Sequence, residues 1–161
     1  MNNRIEILIK NLRLSPHPEG GYYREVFRSE ANVLRKENGS ERQAITAIYF
    51  LLTKGQYSRW HSVHSDEIWS HIEGYPIELS CFDEKQNSIN RFRLGTYDFE
   101  TEPIRVISRG LWQAAKPLGE YSLVGCYVGP GFDFKDFRFA AEYPEISAAI
   151  KTHGTYFAEL L

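Results

Sequence analysis

The sequence predicts an all-β domain, an antiparallel barrel or sandwich with short helices only at its two ends. Tyr, Phe, Val and Ile dominate the middle of the chain, and turn signals interrupt that middle at strand-length intervals. Helical periodicity of apolar residues is confined to the termini.

The elements follow in order. Near the start Ile5, Leu8, Ile9 and Leu12 recur at helical spacing behind Asn2 and Asn3, either of which suits the cap of a first turn. Gly20-Gly21 then permits a tight turn into the first strand, where Tyr23 and Arg24 fall on opposite faces, so at most one of them lines a barrel. The run from Ala44 to Leu52 is apolar on both alternating faces. One face suits the interior, and the other calls for a covering helix or a second subunit. The same holds for Leu123 to Val128. Turn signals at Glu37-Asn38-Gly39, Lys54-Gly55, Glu73-Gly74, Asp83 to Asn87, Arg109-Gly110 and Pro130-Gly131 divide this region into roughly ten strands. A last helix is expected from Pro144, with an apolar stripe of Ile146, Ala149 and Ile150 and a stop at Gly154.

Composition bounds the function. With 161 residues, 42% of them hydrophobic, the chain suffices for one domain over residues 1–161 that buries roughly two-thirds of its unfolded surface. No Ser/Gly linker or repeat marks a boundary. The net charge is −2 and basic residues are interleaved with acids, as in Leu34-Arg35-Lys36-Glu37, so a nucleic-acid partner is not expected. The longest apolar run is about half a membrane span, and the N-terminus lacks the pattern of a signal peptide. A soluble cytoplasmic protein with no membrane partner is the expectation. Cys81 and Cys126 sit in apolar strand-like runs and are expected to be buried free thiols.

The densest chemistry lies in Trp60-His61-Ser62-Val63-His64-Ser65-Asp66-Glu67-Ile68-Trp69. After the turn at Gly55, His61 falls near the end of one strand, and Glu67, Trp69 and His71 alternate onto one face of the next. The segment therefore reads as a hairpin aiming its side chains inward. Its spacing is Gly55, five residues, His61, five residues, Glu67, six residues, Gly74.

That spacing resembles the first motif of the cupin superfamily, in which two histidines and a glutamate bind a metal inside a jelly-roll barrel. His17-Pro18-Glu19-Gly20-Gly21-Tyr22-Tyr23-Arg24-Glu25, Thr46 to Leu52, Ser65 to Trp69, Trp112-Gln113-Ala114-Ala115 and Tyr121 to Phe134 extend the likeness to the fifth cupin family, a group long described as a domain of unknown function. The resemblance implies an antiparallel jelly roll and a homodimer, with no settled reaction. It also exposes departures. Where the cupin pattern places a second histidine the chain has Val63, with His64 one place further on, and where the second cupin motif places another it has Gln113. His61, Glu67 and Gln113 remain as a set that could hold a divalent ion weakly. The expectation is no cofactor, or at most such a metal, below one equivalent.

His61 and Glu67 are the candidate catalytic residues, as a coupled pair in which burial and a neighbouring carboxylate bring a histidine into the range for proton exchange. Tyr23, Arg24, Trp60, Trp69, His71 and Gln113 are the candidate ligand contacts, Arg24 as an anion clamp and the tryptophans as pocket wall or plain core. Glu19 to Arg24 lacks the Lys-Ser/Thr of a phosphate loop, and Asp66 suits the turn better than chemistry. Three readings follow. The first is an acid-base enzyme of isomerase or epimerase type acting on a small carbohydrate-like or carboxylated metabolite. The second is a binding or sensing module without turnover, and the third is a metal-dependent cupin enzyme.

Overall fold

The computed structural model describes residues 3–161, so Asn2 as a cap lies outside the described residues. Asn3 itself is the first residue of helix α1 (Asn3–Asn11), followed by β1 (Ser15–Pro16), β2 (Tyr22–Arg28), β3 (Asn32–Leu34), β4 (Glu41–Gln43), β5 (Thr46–Thr53), β6 (Ser58–Val63) and β7 (Asp66–Gly74). Then come β8 (Ile77–Asp83), β9 (Ser88–Leu94), β10 (Ile104–Ile107), β11 (Trp112–Pro117), β12 (Tyr121–Gly129) and β13 (Phe137–Phe139), before helices α2 (Pro144–Thr152) and α3 (Thr155–Ala158). The six turn signals all fall at strand ends. The short strands β1, β3, β4 and β13 carry the strand count above the expected ten, and α3 is an addition beyond the stop at Gly154.

Two sheets face each other as a jelly roll, one in the order β1-β2-β5-β12-β7-β10 and the other β13-β6-β11-β8-β9, with β3-β4 as a separate hairpin. Between the sheets Phe50, Leu52, Trp69 and Val124 meet Ile77, Leu79, Leu94 and Ala115. The outer faces explain the strands that are apolar on both sides. Helix α1 sets Ile5 and Leu8 on Leu51 and Leu123, while α2 and the C-terminus set Ile146, Ile150 and Leu160 on Trp60, Phe82 and Trp112. Part of the six-stranded sheet stays uncovered. Cross-strand registers put Phe27, Ala47, Tyr127, Ile68 and Val106 in one row across five strands, and all but Ala47 are exposed.

The segment from Trp60 to Trp69 does not form the expected hairpin. β6 pairs with β11 and β13, and β7 with β10 and β12, so the chain changes sheets at His64-Ser65. The corner is tied down by Arg35, whose side chain is 2% exposed. Its guanidinium donates to the His64 carbonyl, to Ser65 Oγ at 2.7 Å and to Asp136 at 3.0 Å. A second cation, Arg42, holds the same carboxylate at 2.8 Å. As a result His61 and Glu67 approach each other across the barrel instead of side by side on one ribbon. Both cysteines are free and buried, as expected. Among the described residues no helix is long and apolar enough to cross a membrane.

Arg35→Met keeps the side chain's apolar length but strips the corner of its donors, and breaking a buried, hydrogen-bonded ion pair is expected to cost about 3 kcal/mol in urea denaturation. Phe99→Ser, on a fully exposed side chain, is the control and is expected to stay within about 0.5 kcal/mol of the unsubstituted protein.

Candidate functional site

A cavity of about 440 Å³ opens between the sheets at the end where β6 passes into β7. Its floor is built by the β6–β11 pairing, which sets Gln113 opposite His61, and by β7, which brings Glu67 in from the other sheet. His61 is 2% exposed and Gln113 2%, so every polar atom here needs a partner.

Those partners fix the hydrogens. His61 Nδ1 lies 2.7 Å from the Arg59 carbonyl, which can only accept, so Nδ1 carries the proton and donates. The Trp69 indole N–H can only donate, and it does so to Gln113 Oε1 at 3.0 Å. The Gln113 NH2 group therefore faces the floor, donating to Glu67 Oε2 at 2.5 Å and to His61 Nε2 at 3.1 Å. His61 and Glu67 are thus linked through an amide, and no direct hydrogen bond joins them.

The carboxylate closest to His61 is one the sequence reading passed over. Glu19, 6% exposed, places Oε2 3.2 Å from His61 Nε2. The paired glycines put it there. Gly20 has φ +117°, and a Cβ on it would lie 2.1 Å from the Tyr57 carbonyl oxygen, while one on Gly21, at φ +70°, would lie 2.6 Å from that of Leu51. Only glycine lets this turn press against the sheets, and Arg59 N–H then holds the Glu19 carbonyl at 2.9 Å. His17 lies beside it, its Nδ1 accepting from the Glu19 N–H at 3.2 Å and its ring edge-on to Tyr23 with centroids 4.4 Å apart.

Burial dominates the electrostatics. It pushes the Glu19 carboxyl up to about 8, against a Ser58 hydrogen bond and the Arg59 charge. It likewise pushes Glu67 up to about 7, with His61 opposing and Glu19 reinforcing. His17 is pushed down to about 4 by burial and by His61. His61 is lowered by burial, with Glu67 and the Arg59 carbonyl opposing. Cys126 borders the same cavity, and burial raises its thiol far out of the reactive range. These shifts disfavour charge on both imidazoles and favour the protonated form of Glu19, whose Oε2 then faces the unprotonated His61 Nε2. The walls are aromatic: Phe137 stacks on His61 with centroids 5.2 Å apart, and Phe132 and Phe134 pack edge to face at 5.0 Å.

Of the anticipated site residues, His61, Glu67 and Tyr23 line this cavity, and Gln113 braces its floor. Trp69 lies just behind, in the core, acting through Gln113. The others are elsewhere. Arg24 faces out, its guanidinium 5.7 Å from the Tyr49 ring centroid, because strand alternation gives the interior to Tyr23. Trp60 is on the far side of its sheet, donating to the Phe157 carbonyl at 2.9 Å under the C-terminal helices. His71 lies beyond Trp69, half-buried, with Nε2 3.2 Å from the Tyr75 carbonyl. His64 belongs to the corner and is absent from the cavity lining. Asp66 accepts from the Arg109 N–H at 2.9 Å, a turn contact. Besides Glu19 and His17, the sequence reading missed the three phenylalanines. The available signal was His-Pro-Glu-Gly-Gly, an acid set against two glycines that force a close approach.

The ligand set His61, Glu67 and Gln113 does not fit a metal. Gln113 turns its N–H groups to the floor because Trp69 occupies its oxygen, and an amide binds a cation through oxygen. Val63 supplies only an apolar wall at the position of a second histidine. Among the described residues no group of three or more His, Cys, Asp and Glu side chains is arranged to hold a metal ion.

A family described as "Cupin superfamily (DUF985)" matches residues 6–140. A hypothetical protein from Leishmania major is 34% identical, with 91% of this chain and 96% of that one covered and a TM-score of 0.78. A crystal structure from Shewanella oneidensis is 29% identical, covering 99% and 98% of the two chains at a TM-score of 0.84. More distantly, the capsular polysaccharide assembling protein CapF from Staphylococcus aureus shares the fold at 15% identity and a TM-score of 0.58, over 78% of this chain and 33% of its own. No curated protein matches. On the match across residues 6–140, borne by a jelly roll with its polar site between the sheets, the chain belongs to the DUF985 family of the cupin superfamily.

Proposed function

We propose that the protein captures a small metabolite in the barrel cavity and moves a proton on it, as an acid-base enzyme of isomerase or epimerase type. One observation carries the reading: His61 Nε2 lies 3.2 Å from Glu19 Oε2 in the cavity floor, with Nδ1 committed to the Arg59 carbonyl. A neutral imidazole so fixed has its reactive nitrogen aimed at a titrating group, the arrangement that general acid-base catalysis requires. In the proposed step the pair acts in the form that has lost the Glu19 proton: Nε2 lets go of the Gln113 N–H and takes a proton from a ligand carbon next to a carbonyl, and the imidazolium so formed is stabilised by the ionised Glu19 beside it. Return of that proton at a neighbouring atom or the opposite face completes an isomerisation with no net oxidation. Gln113 is a positioning residue that keeps Nε2 and Glu67 in register. Molecules of this shape also suit a second copy packed on the row from Phe27 to Val106, which is uncovered and apolar. Sedimentation at micromolar concentration is expected to give a two-fold dimer.

His61→Ala and Glu67→Gln are expected to stay folded and to lower turnover or ligand affinity about tenfold or more. Ligands can be found by thermal stabilisation, and turnover read as solvent deuterium entering a carbon position of the ligand by NMR. Binding with no deuterium entry in the unsubstituted protein would replace the enzyme reading with the binding-module one. Unchanged binding and exchange in both variants would remove the pair from the site.

The Glu19 carboxyl generates a pH prediction. Its folded pKa, about 8, lies above the ordinary 4.5, so between those values the native state keeps a proton that the unfolded state has lost. Stability from this group is present below about 4.5 and is lost as pH rises through 8. Glu67 acts in the same direction up to about 7. His17, lowered to about 4 from 6.5, acts oppositely, losing stability as pH falls through that window. Glu19→Gln should therefore gain stability relative to the unsubstituted protein as pH rises from 4.5 to 8, by at least about 1 kcal/mol in urea titrations, and level off above.

A further inference from the structure

The cavity is polar at its floor, yet its charges are nearly all spoken for. Arg28 is the one Lys or Arg side chain among its described lining residues, and it is engaged on every side. Its Nε and Nη2 donate to the two Glu25 oxygens at 2.9 and 2.6 Å, and Nη1 donates to Gln43 Oε1 at 2.8 Å and to the Phe132 carbonyl at 3.1 Å. At the floor the situation is reversed. Glu19 and Glu67 are buried with no Lys or Arg at ion-pair distance; His61 and the Gln113 amide are their close partners, and the Arg59 charge acts on Glu19 only from further away.

We infer that the ligand of this cavity is an uncharged, hydroxyl-rich small molecule of monosaccharide type, and that the site rejects its carboxylated and phosphorylated relatives. The inference rests on the reading of this cavity as a ligand site and decides between the two metabolite classes the sequence left open. Three physical arguments carry it. An anion would need a buried cationic partner, and Arg28 could serve only by leaving Glu25. The anion's charge would also meet the Glu25 and Asp133 carboxylates, which line the same cavity. Hydroxyl groups, by contrast, both donate and accept, and the cavity offers both kinds of partner: carboxyl oxygens accept, while a protonated carboxyl donates, as does His17 Nε2, which carries the ring proton because Nδ1 accepts from the Glu19 N–H. The raised carboxyls and lowered histidines are consistent with this, since the same burial that suppresses charge on four protein groups suppresses it on a ligand. An ammonium group meets that penalty too, and it offers donors only. Phe132, Phe134 and Phe137 complete the match by giving the C–H faces of a sugar ring an apolar aromatic wall.

The test is a matched titration of the full chain by calorimetry at about pH 7.5. D-glucose, D-galactose and D-mannose are compared with the corresponding uronic acids, 6-phosphates and 2-amino sugars. At least one neutral compound is expected to bind about tenfold or more tightly than its charged counterparts. Tighter binding by a uronate, phosphate or amine overturns the inference, and so does failure of every neutral compound to bind at tens of millimolar. Repeating the titration with His61→Ala separates this result from the proposed function. A neutral compound held equally well by that variant and showing the same deuterium exchange sinks the proton-handling reading alone. A preferred uronate whose binding and exchange both need His61 sinks the charge inference alone.

Discussion

A buried indole N–H has no acceptor lone pair and no alternative but to donate, and the order of this barrel's interior follows from where Trp69 does so. Trp69 belongs to the six-stranded sheet and Gln113 to the five-stranded one, so their hydrogen bond bridges the two layers. By taking the amide oxygen it turns the NH2 group toward Glu67 and His61. That single orientation matches the His61 tautomer fixed by the Arg59 carbonyl and removes Gln113 as an oxygen ligand. Networks of this kind in a low dielectric are stable only when every member is satisfied.

The site is correspondingly expensive to fold. Glu19 and Glu67 have carboxyls displaced toward neutrality and both floor histidines are displaced the other way, so each is held where it ionises less readily than in water. A chain selected for stability alone would place apolar groups there. The rest of the molecule compensates with three apolar clusters: the core between the sheets, α1 on one outer face, and the C-terminal helices on the other. The buried Arg35 and its part-buried partner Asp136 are a structural instance of the same chemistry, hydrogen-bonded throughout except at Arg35 Nε, and they pin the corner that brings His61 and Glu67 together.

Much of the fold was legible. Turn residues at strand ends and the terminal apolar stripes are local signals, written by backbone sterics and side-chain periodicity within a few residues. The site was legible only in part. His61, Glu67 and Tyr23 stood out because histidine and carboxylate types near a pocket-forming motif carry their own chemistry. Arg24 and Trp60 were misplaced because residue type outweighed alternation, which sends one side chain in and its neighbour out.

The sequence by itself determined the all-β class, the position of nearly every turn, the two covering helices and the family, because each depends on residues close in the chain or on a pattern of fixed spacing. Tertiary structure alone decided that the Trp60 to Trp69 stretch changes sheets at its middle, that Glu19, some forty residues upstream of His61, is the nearest carboxyl to it, and that Gln113 presents nitrogen to the floor. These depend on which buried groups can satisfy one another once the two sheets are packed. Such pairings are made between distant segments across the barrel, and no local periodicity specifies them.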